Sequence, residues 1–171
     1  MDSLQPPNPE PVSNSPQPIE TAQPLETMQP LTKPQPLGVE PKQGQSIYRL
    51  LIPRIKVNNI VVFGTSAEAL KKGPGHIEGT PFPWHGGNSA IAAHRDYFFG
   101  RLGELEIGDE VRMESELGNR FYKVTEKRVV DESNVDVLSP TGKDQITLIT
   151  CWPLIFLGHT PNRLVITAER Q

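Results

Sequence analysis

The stretch "QITLITCWP", Gln145 to Pro153, intersperses apolar residues with threonine and carries the chain's one cysteine just before its closing Trp-Pro. Alternation at period two is the mark of a β-strand. Ile146, Leu148 and Thr150 then point to one side, and Thr147, Ile149 and Cys151 to the other. Pro153 cannot donate to a ladder, so the strand is expected to stop near Trp152. Cys151 therefore falls at a strand end, where a loop begins. Catalytic groups favour such rigid ends beneath variable loops. A merely structural cysteine, a small buried hydrophobe, packs best in mid-strand.

Outward from this strand the pattern repeats. "IYRLLIP" (Ile47 to Pro53), "NIVVFG" (Asn59 to Gly64), "SAIAAH" (Ser89 to His94), "DEVRMES" (Asp109 to Ser115), "RFYKVTEKRVV" (Arg120 to Val130) and "RLVITAER" (Arg163 to Arg170) read as strands. Leu117-Gly118-Asn119 is the hairpin signal between two of them. "TSAEALKKG" (Thr65 to Gly73) reads as a short helix capped by Ser66 and ended by Gly73. The Gly/Pro-rich run from Pro74 to Gly87 is loop, with a short strand around His76 to Glu78. Seven or eight short strands with little helix predict an all-β domain: a closed or nearly closed barrel, or a sandwich. Closure also removes exposed sheet edges.

Residues 1–45 are different. They hold most of the chain's 18 prolines, spaced among Gln, Glu, Ser and Thr, with a loose Gln-Pro-Leu repeat. Fixed φ angles, missing donors and little apolar surface predict a disordered, extended linker or stalk rather than a packed unit. A ligand for SH3-like domains is the alternative. The folded domain is expected over residues 46–171, about 125 residues, enough for one core. No apolar run approaches the roughly 20 residues of a membrane span, and no signal-peptide pattern opens the chain. A chain lacking a preceding anchor would begin in the same way.

A net charge of -3 implies no basic face, so nucleic acid is not an expected partner. One cysteine excludes an internal disulfide and a thiolate-rich zinc site. Glu104, Glu106, Asp109 and Glu110 are scattered and form no dense calcium loop. No metal and no cofactor is expected.

A thiol with a pKa of about 8.5 is mostly protonated at neutral pH and needs a base or a cation to act as a nucleophile. Of four histidines, His76 and His85 lie in the Gly/Pro-rich loop, with no fixed orientation expected, and His159 lies in the loop after Cys151. His94 ends a strand, and strand ends of a barrel converge on a rim. It is the best partner, with His159 second and a solvated surface histidine the bland alternative. Arg163, at the start of the last strand, offers fixed N–H donors to a substrate carbonyl or an oxyanion. Arg95 competes with it, but in an ideal strand points to the opposite face from His94.

Together these residues resemble a known family. "TLITC" (Thr147 to Cys151), followed by "RLVITA" from Arg163, is similar to the sortase signature. "AIAAHR" (Ala90 to Arg95) resembles that family's histidine strand, and "VDVLSPTGKDQITLITC" (Val135 to Cys151) resembles its approach to the cysteine. The similarity runs from about Ile47 to Gln171.

The resemblance implies a closed eight-stranded sortase-type β-barrel with short helices. It implies a cysteine transpeptidase of Gram-positive cell surfaces. Such an enzyme cleaves a Leu-Pro-x-Thr-x sorting signal after Thr through a thioester, then passes the acyl group to an amine, usually of a peptidoglycan precursor. By position Cys151 is the nucleophile, His94 the general acid/base, and Arg163 the oxyanion and substrate stabiliser. Val135, Val137 and Leu138 would line an apolar groove, with Ala92 and Ile149 on its floor and Thr150 hydrogen-bonding substrate. For each, ordinary core is the alternative. The short loop from Cys151 to Arg163, with Pro153, resembles class D, and no lid of the class C kind is evident. Asp96 stands where relatives often carry Ser or Thr; it either tunes His94 or faces solvent. The implied location is the extracellular face of the membrane, through an N-terminal anchor preceding the stalk. A hydrolytic peptidase that releases surface proteins and a silent wall-peptide-binding barrel are the competing readings.

Overall fold

The computed structural model describes residues 41–155 and 158–171. Most of the expected linker, residues 1–40, lies outside the described residues. Its last residues meet the domain: the Gly44 N–H donates to the Phe63 carbonyl (2.7 Å) and the Phe63 N–H to the Gln45 carbonyl (2.8 Å).

Eight strands follow: β1 (Ser46–Ile52), β2 (Val57–Phe63), β3 (Gly75–His76), β4 (Asn88–Ala92), β5 (Glu110–Ser115), β6 (Gly118–Asp131), β7 (Gln145–Trp152) and β8 (Asn162–Arg170). They close into a barrel in the order β1-β2-β3-β4-β7-β8-β6-β5, with β5 paired back to β1. The sandwich alternative is thereby set aside. Pairing is antiparallel except for β2–β3 and β4–β7. Inward-facing side chains fill the barrel: Leu50 and Ile52 from β1, Ile91 from β4, Met113 from β5, Tyr122 from β6, Ile146 and Leu148 from β7, and Leu164 and Ile166 from β8. Phe99, Leu102 and Leu105, on the connection after β4, pack into the same core.

The one α-helix among the described residues, α1 (Ala67–Lys72), starts where expected. Ser66 Oγ accepts from the Ala69 N–H at 3.2 Å, and Gly73 ends it.

Two boundaries differ from expectation. The β5–β6 hairpin pairs Ser115 with Gly118 and Glu114 with Asn119, so the turn is Glu116-Leu117. Gly118 takes φ 102° as the first residue of β6 and supplies the left-handed position such a turn needs. The strand around His76 is shorter than expected because Thr80 folds back. Its N–H and Oγ1 both donate to the Ile77 carbonyl (3.2 and 2.7 Å), which removes that acceptor from the ladder.

His76 is also not a free loop histidine. It sits on β3, fully buried, its ring stacked on Phe82 at 4.6 Å. Its Nε2 lies 3.1 Å from the Thr80 carbonyl, which can only accept, so Nε2 carries the proton. Nδ1 then accepts from the Tyr48 hydroxyl at 2.9 Å. Burial pushes the imidazole down from its ordinary 6.5 to about 4, against the smaller opposing effect of the Thr80 carbonyl.

The consequence is a pH-dependent stability. Above pH 6.5 the ring is neutral whether the chain is folded or unfolded. Between about 6.5 and 4 only the unfolded chain takes up the proton, so stability falls as pH falls. The loss is on the order of 3 kcal/mol across that window. Urea unfolding at pH 7 and pH 4.5 is expected to show it for the wild type, and His76→Gln is expected to flatten the slope while lowering stability at pH 7.

Candidate active site

β7 is the centre of the site because it pairs with β4 on one side and β8 on the other. In the parallel β4–β7 ladder Asn88 lies opposite Gln145 and Ala92 opposite Ile149. The register carries on past the end of β4. The Ala93 N–H donates to the Ile149 carbonyl (3.1 Å), and Thr150 Oγ1 donates to the Ala93 carbonyl (2.8 Å). His94 comes next, where the chain turns: its carbonyl accepts from the Tyr97 and Phe99 N–H groups (3.4 and 3.3 Å). In the antiparallel β7–β8 ladder Cys151 is directly opposite Arg163. Cys151 and Arg163 thus form a row across β7 and β8, and His94 follows two residues after the end of β4, the strand on the other side of β7.

Cys151 and Arg163 also share a face. Ile146 and Leu148 enter the core, so Thr147, Ile149 and Cys151 point outward. Asn88, Ala90 and Ala92 are their neighbours on β4, and Arg163 and Val165 on β8. Cys151 is half-buried and His94 exposed. The Tyr97 ring stands edge-on to the His94 ring at 6.4 Å.

The expected groove residues fall in three places. Ala92 and Ile149 are paired and half-buried on the outer face, beside the row. Val135, Val137 and Leu138 form a 3-10 turn, Val135–Leu138, with Val135 exposed, Val137 buried and Leu138 between. Asn88 docks this turn at the opposite end of β4 from His94. Thr150 is not on this face: buried and turned inward, its hydroxyl ties β7 to the segment that carries His94.

Asn88 was not singled out from sequence. Its Nδ2 donates to the carbonyls of Val137 (2.9 Å) and Ser139 (3.1 Å), and its Oδ1 accepts from Thr147 Oγ1 (2.6 Å) and Gln145 Nε2 (3.2 Å). Every donor and acceptor of the amide is used. An asparagine after two glycines reads as a turn residue, and only the fold reveals its partners.

The two arginines divide as strand parity requires. Arg95 is buried, away from His94's side. Its Nη1 donates to the Pro153 carbonyl (3.0 Å) and Thr160 Oγ1 (3.3 Å), and its Nη2 to the Gly158 carbonyl (2.5 Å). It thereby clamps the connection between Cys151 and Arg163. Asp96 is 64% exposed, with its carboxylate 3.8 Å from Arg95 Nε. Arg163 donates from Nη1 to the carbonyls of Thr160 (2.7 Å) and Asn162 (2.9 Å), and from Nη2 to Glu132 Oε2 (2.7 Å). His159, exposed, places Nε2 3.1 Å from the same oxygen and does not belong to the row. His85 is exposed and packs on Phe82.

A thiol and a guanidinium paired on one face, with an imidazole just past the end of the adjoining strand, are groups that suit acyl transfer. Comparison with known proteins points the same way. The sortase domain model matches residues 50–171. Sortase D of Bacillus subtilis is 33% identical over 132 residues, which cover 77% of this chain and 67% of that protein. Among solved structures, a Clostridium perfringens Sortase D5 transpeptidase superposes with a TM-score of 0.70 at 27% identity, covering 77% of this chain and 82% of that one. Sortase C1 of GBS Pilus Island 1 gives 0.69 at 29% identity, covering 74% and 64%.

The Arg95 clamp has a measurable consequence. Arg95→Met keeps the side-chain stem but removes the donors to three oxygens of one connection. Amide exchange at residues 158–160 is expected to accelerate about tenfold or more, with the interior strands unchanged, as read by hydrogen–deuterium exchange. Arg95→Lys is expected to behave similarly, because a point charge cannot bridge three acceptors spread across a fork.

Proposed function

Since the chain belongs to the sortase family, as a class D-like member, we propose that it is a cysteine transpeptidase. In this reading it cleaves a Leu-Pro-x-Thr-x sorting signal after Thr and transfers the protein to a cell-wall amine. The observation that carries the proposal is the Cys151–Arg163 pair across β7 and β8, with His94 two residues past the end of β4, the strand paired to the other side of β7.

The chemistry follows from these three groups. Cys151 as thiolate attacks the Thr carbonyl carbon; a C–S bond forms and negative charge moves to oxygen, where Arg163 stabilises it. Collapse breaks the C–N bond, and His94 as imidazolium gives its proton to the leaving amine. The thioester then meets an incoming amine. Neutral His94 takes the amine's proton as the new C–N bond forms, and C–S cleavage restores the thiolate.

Substrate length fits the outer face. From Gln145 to Cys151 is six residues, about 20 Å of strand. Leu-Pro-x-Thr, extended, spans about 13 Å. With Thr at Cys151, the peptide passes over Ala92 and Ile149, and its Leu and Pro approach the Val135–Leu138 turn. Thr150 can offer only backbone to it.

The Pro-rich residues 1–45 serve, in this proposal, as a stalk between the barrel of residues 46–171 and a membrane anchor that precedes it, which places the enzyme on the extracellular face of a Gram-positive membrane. Among the described residues no helix is long and apolar enough to cross a membrane. The acceptor is an amine of a peptidoglycan precursor.

A fluorogenic Leu-Pro-x-Thr-x peptide, with and without an added amine such as Gly-Gly-Gly, tests the proposal. Cleavage with the amine incorporated into the product is expected. Cys151→Ala should abolish it while the protein stays folded, and Arg163→Lys should cost about 100-fold in kcat. His159→Ala should matter far less than His94→Ala; the reverse order would move the base. Cleavage that never incorporates amine would make the protein a hydrolytic peptidase. A Cys151 inert to a Leu-Pro-x-Thr vinyl sulfone would make it a wall-peptide-binding barrel.

A further inference from the structure

Arg163 can stabilise an oxyanion only if its guanidinium is held in a fixed plane. Among the described residues three of its N–H bonds have partners: two from Nη1 and one from Nη2. The Nη1 acceptors, the carbonyls of Thr160 and Asn162, lie on the chain just before Arg163 and move with it. Glu132, at the end of β6, is the partner that ties the guanidinium to a separate strand.

Glu132 is itself well anchored. Its N–H donates to the Pro161 carbonyl at 2.7 Å, extending the β6–β8 ladder past the Asp131–Asn162 pair. Its Oε2 takes both Arg163 Nη2 (2.7 Å) and His159 Nε2 (3.1 Å). The neighbouring carboxylate is engaged locally through one of its oxygens. Asp131 Oδ1 is occupied by the N–H (2.9 Å) and hydroxyl (2.5 Å) of Ser133.

We infer that Glu132 is a positioning residue for acyl transfer: it fixes the plane of the Arg163 guanidinium and leaves the two remaining N–H groups for the substrate oxygen. The inference rests on the reading of Arg163 as the oxyanion donor. The Glu132 and Arg163 side chains are 36% and 25% exposed, so the pair adds little to folding stability, and its removal reads out in catalysis.

The test compares Glu132→Gln, which keeps an amide oxygen for Nη2, with Glu132→Ala, which does not. With the sorting-signal peptide, Glu132→Ala is expected to lower kcat and kcat/KM together by about 10- to 100-fold. Glu132→Gln is expected to stay within about 5-fold of wild type, as for one neutral acceptor in place of a charged one. Thermal unfolding and the rate of Cys151 alkylation by iodoacetamide, which develops no oxyanion, are expected to be unchanged in both. In an Arg163→Ala background Glu132→Ala should have no further effect. Wild-type kcat in Glu132→Ala, equal losses in the two variants, or a parallel fall in alkylation would each overturn the inference. If Arg163→Ala alone keeps wild-type kcat, the oxyanion assignment fails and takes this inference with it. A loss in Arg163→Ala without one in Glu132→Ala would overturn the role of Glu132 alone.

Discussion

The site depends on the register of one parallel strand pair. β4 and β7 are distant in sequence, and only their pairing brings the segment that carries His94 to the strand that carries Cys151. A slip of one residue would move that segment along β7 and, because side chains alternate, put the wrong residues on the outer face. Parallel pairs are slightly weaker per residue than antiparallel ones, so backbone bonding alone is a poor guarantee. Side chains pin this pair at both ends. Asn88 bonds Thr147 and Gln145 where β4 begins, and Thr150 bonds the Ala93 carbonyl where it ends. These groups are buried, so a shifted register would strand them without partners, at about 1–3 kcal/mol each.

The second requirement is the connection from Cys151 to Arg163. It leaves β7 at Trp152 and returns at Asn162 with no further strand or helix among the described residues. Such a segment would move freely if nothing held it, and Arg163 would lose its setting. Arg95 holds it from the β4 side through the Pro153 and Gly158 carbonyls and the Thr160 hydroxyl. Glu132 holds its end from the β6 side. The residue next to the proposed base thus braces the segment leading to the proposed oxyanion donor, and mobility on one side of Cys151 is felt on the other.

Much of this was legible in the sequence because it is local. Period-two alternation gave β7 and set Cys151 on the face opposite Ile146 and Leu148, Pro153 gave its end, and Ser66 and Gly73 the limits of α1. The same parity argument separated Arg95 from His94 before any contact was known. What the sequence hid is the set of contacts made across the chain. Asn88 reads as a turn residue because its four partners come from β7 and the Val135–Leu138 turn. His76 reads as a loop residue because nothing nearby in sequence says that Tyr48 and Phe82 will enclose it. Thr150 reads as a candidate substrate contact until Ala93 claims its hydroxyl. The turn at Glu116-Leu117 was placed one residue late because Gly118 is as good a strand opener after a tight turn as it is a turn centre.

The two arginines show how one side-chain chemistry is put to two uses by its surroundings. Arg95 is buried against the oxygens of a single connection, with the Asp96 carboxylate 3.8 Å from its Nε. Such a site spends the whole fork on geometry and leaves little to offer a ligand. Arg163 is quarter-exposed, shares its charge with a carboxylate, and keeps donors for something that arrives from solution. A guanidinium with all its donors satisfied would be inert; one with none satisfied would swing. Partial satisfaction, set by a carboxylate from the neighbouring strand, lets the same group be rigid and still able to bind.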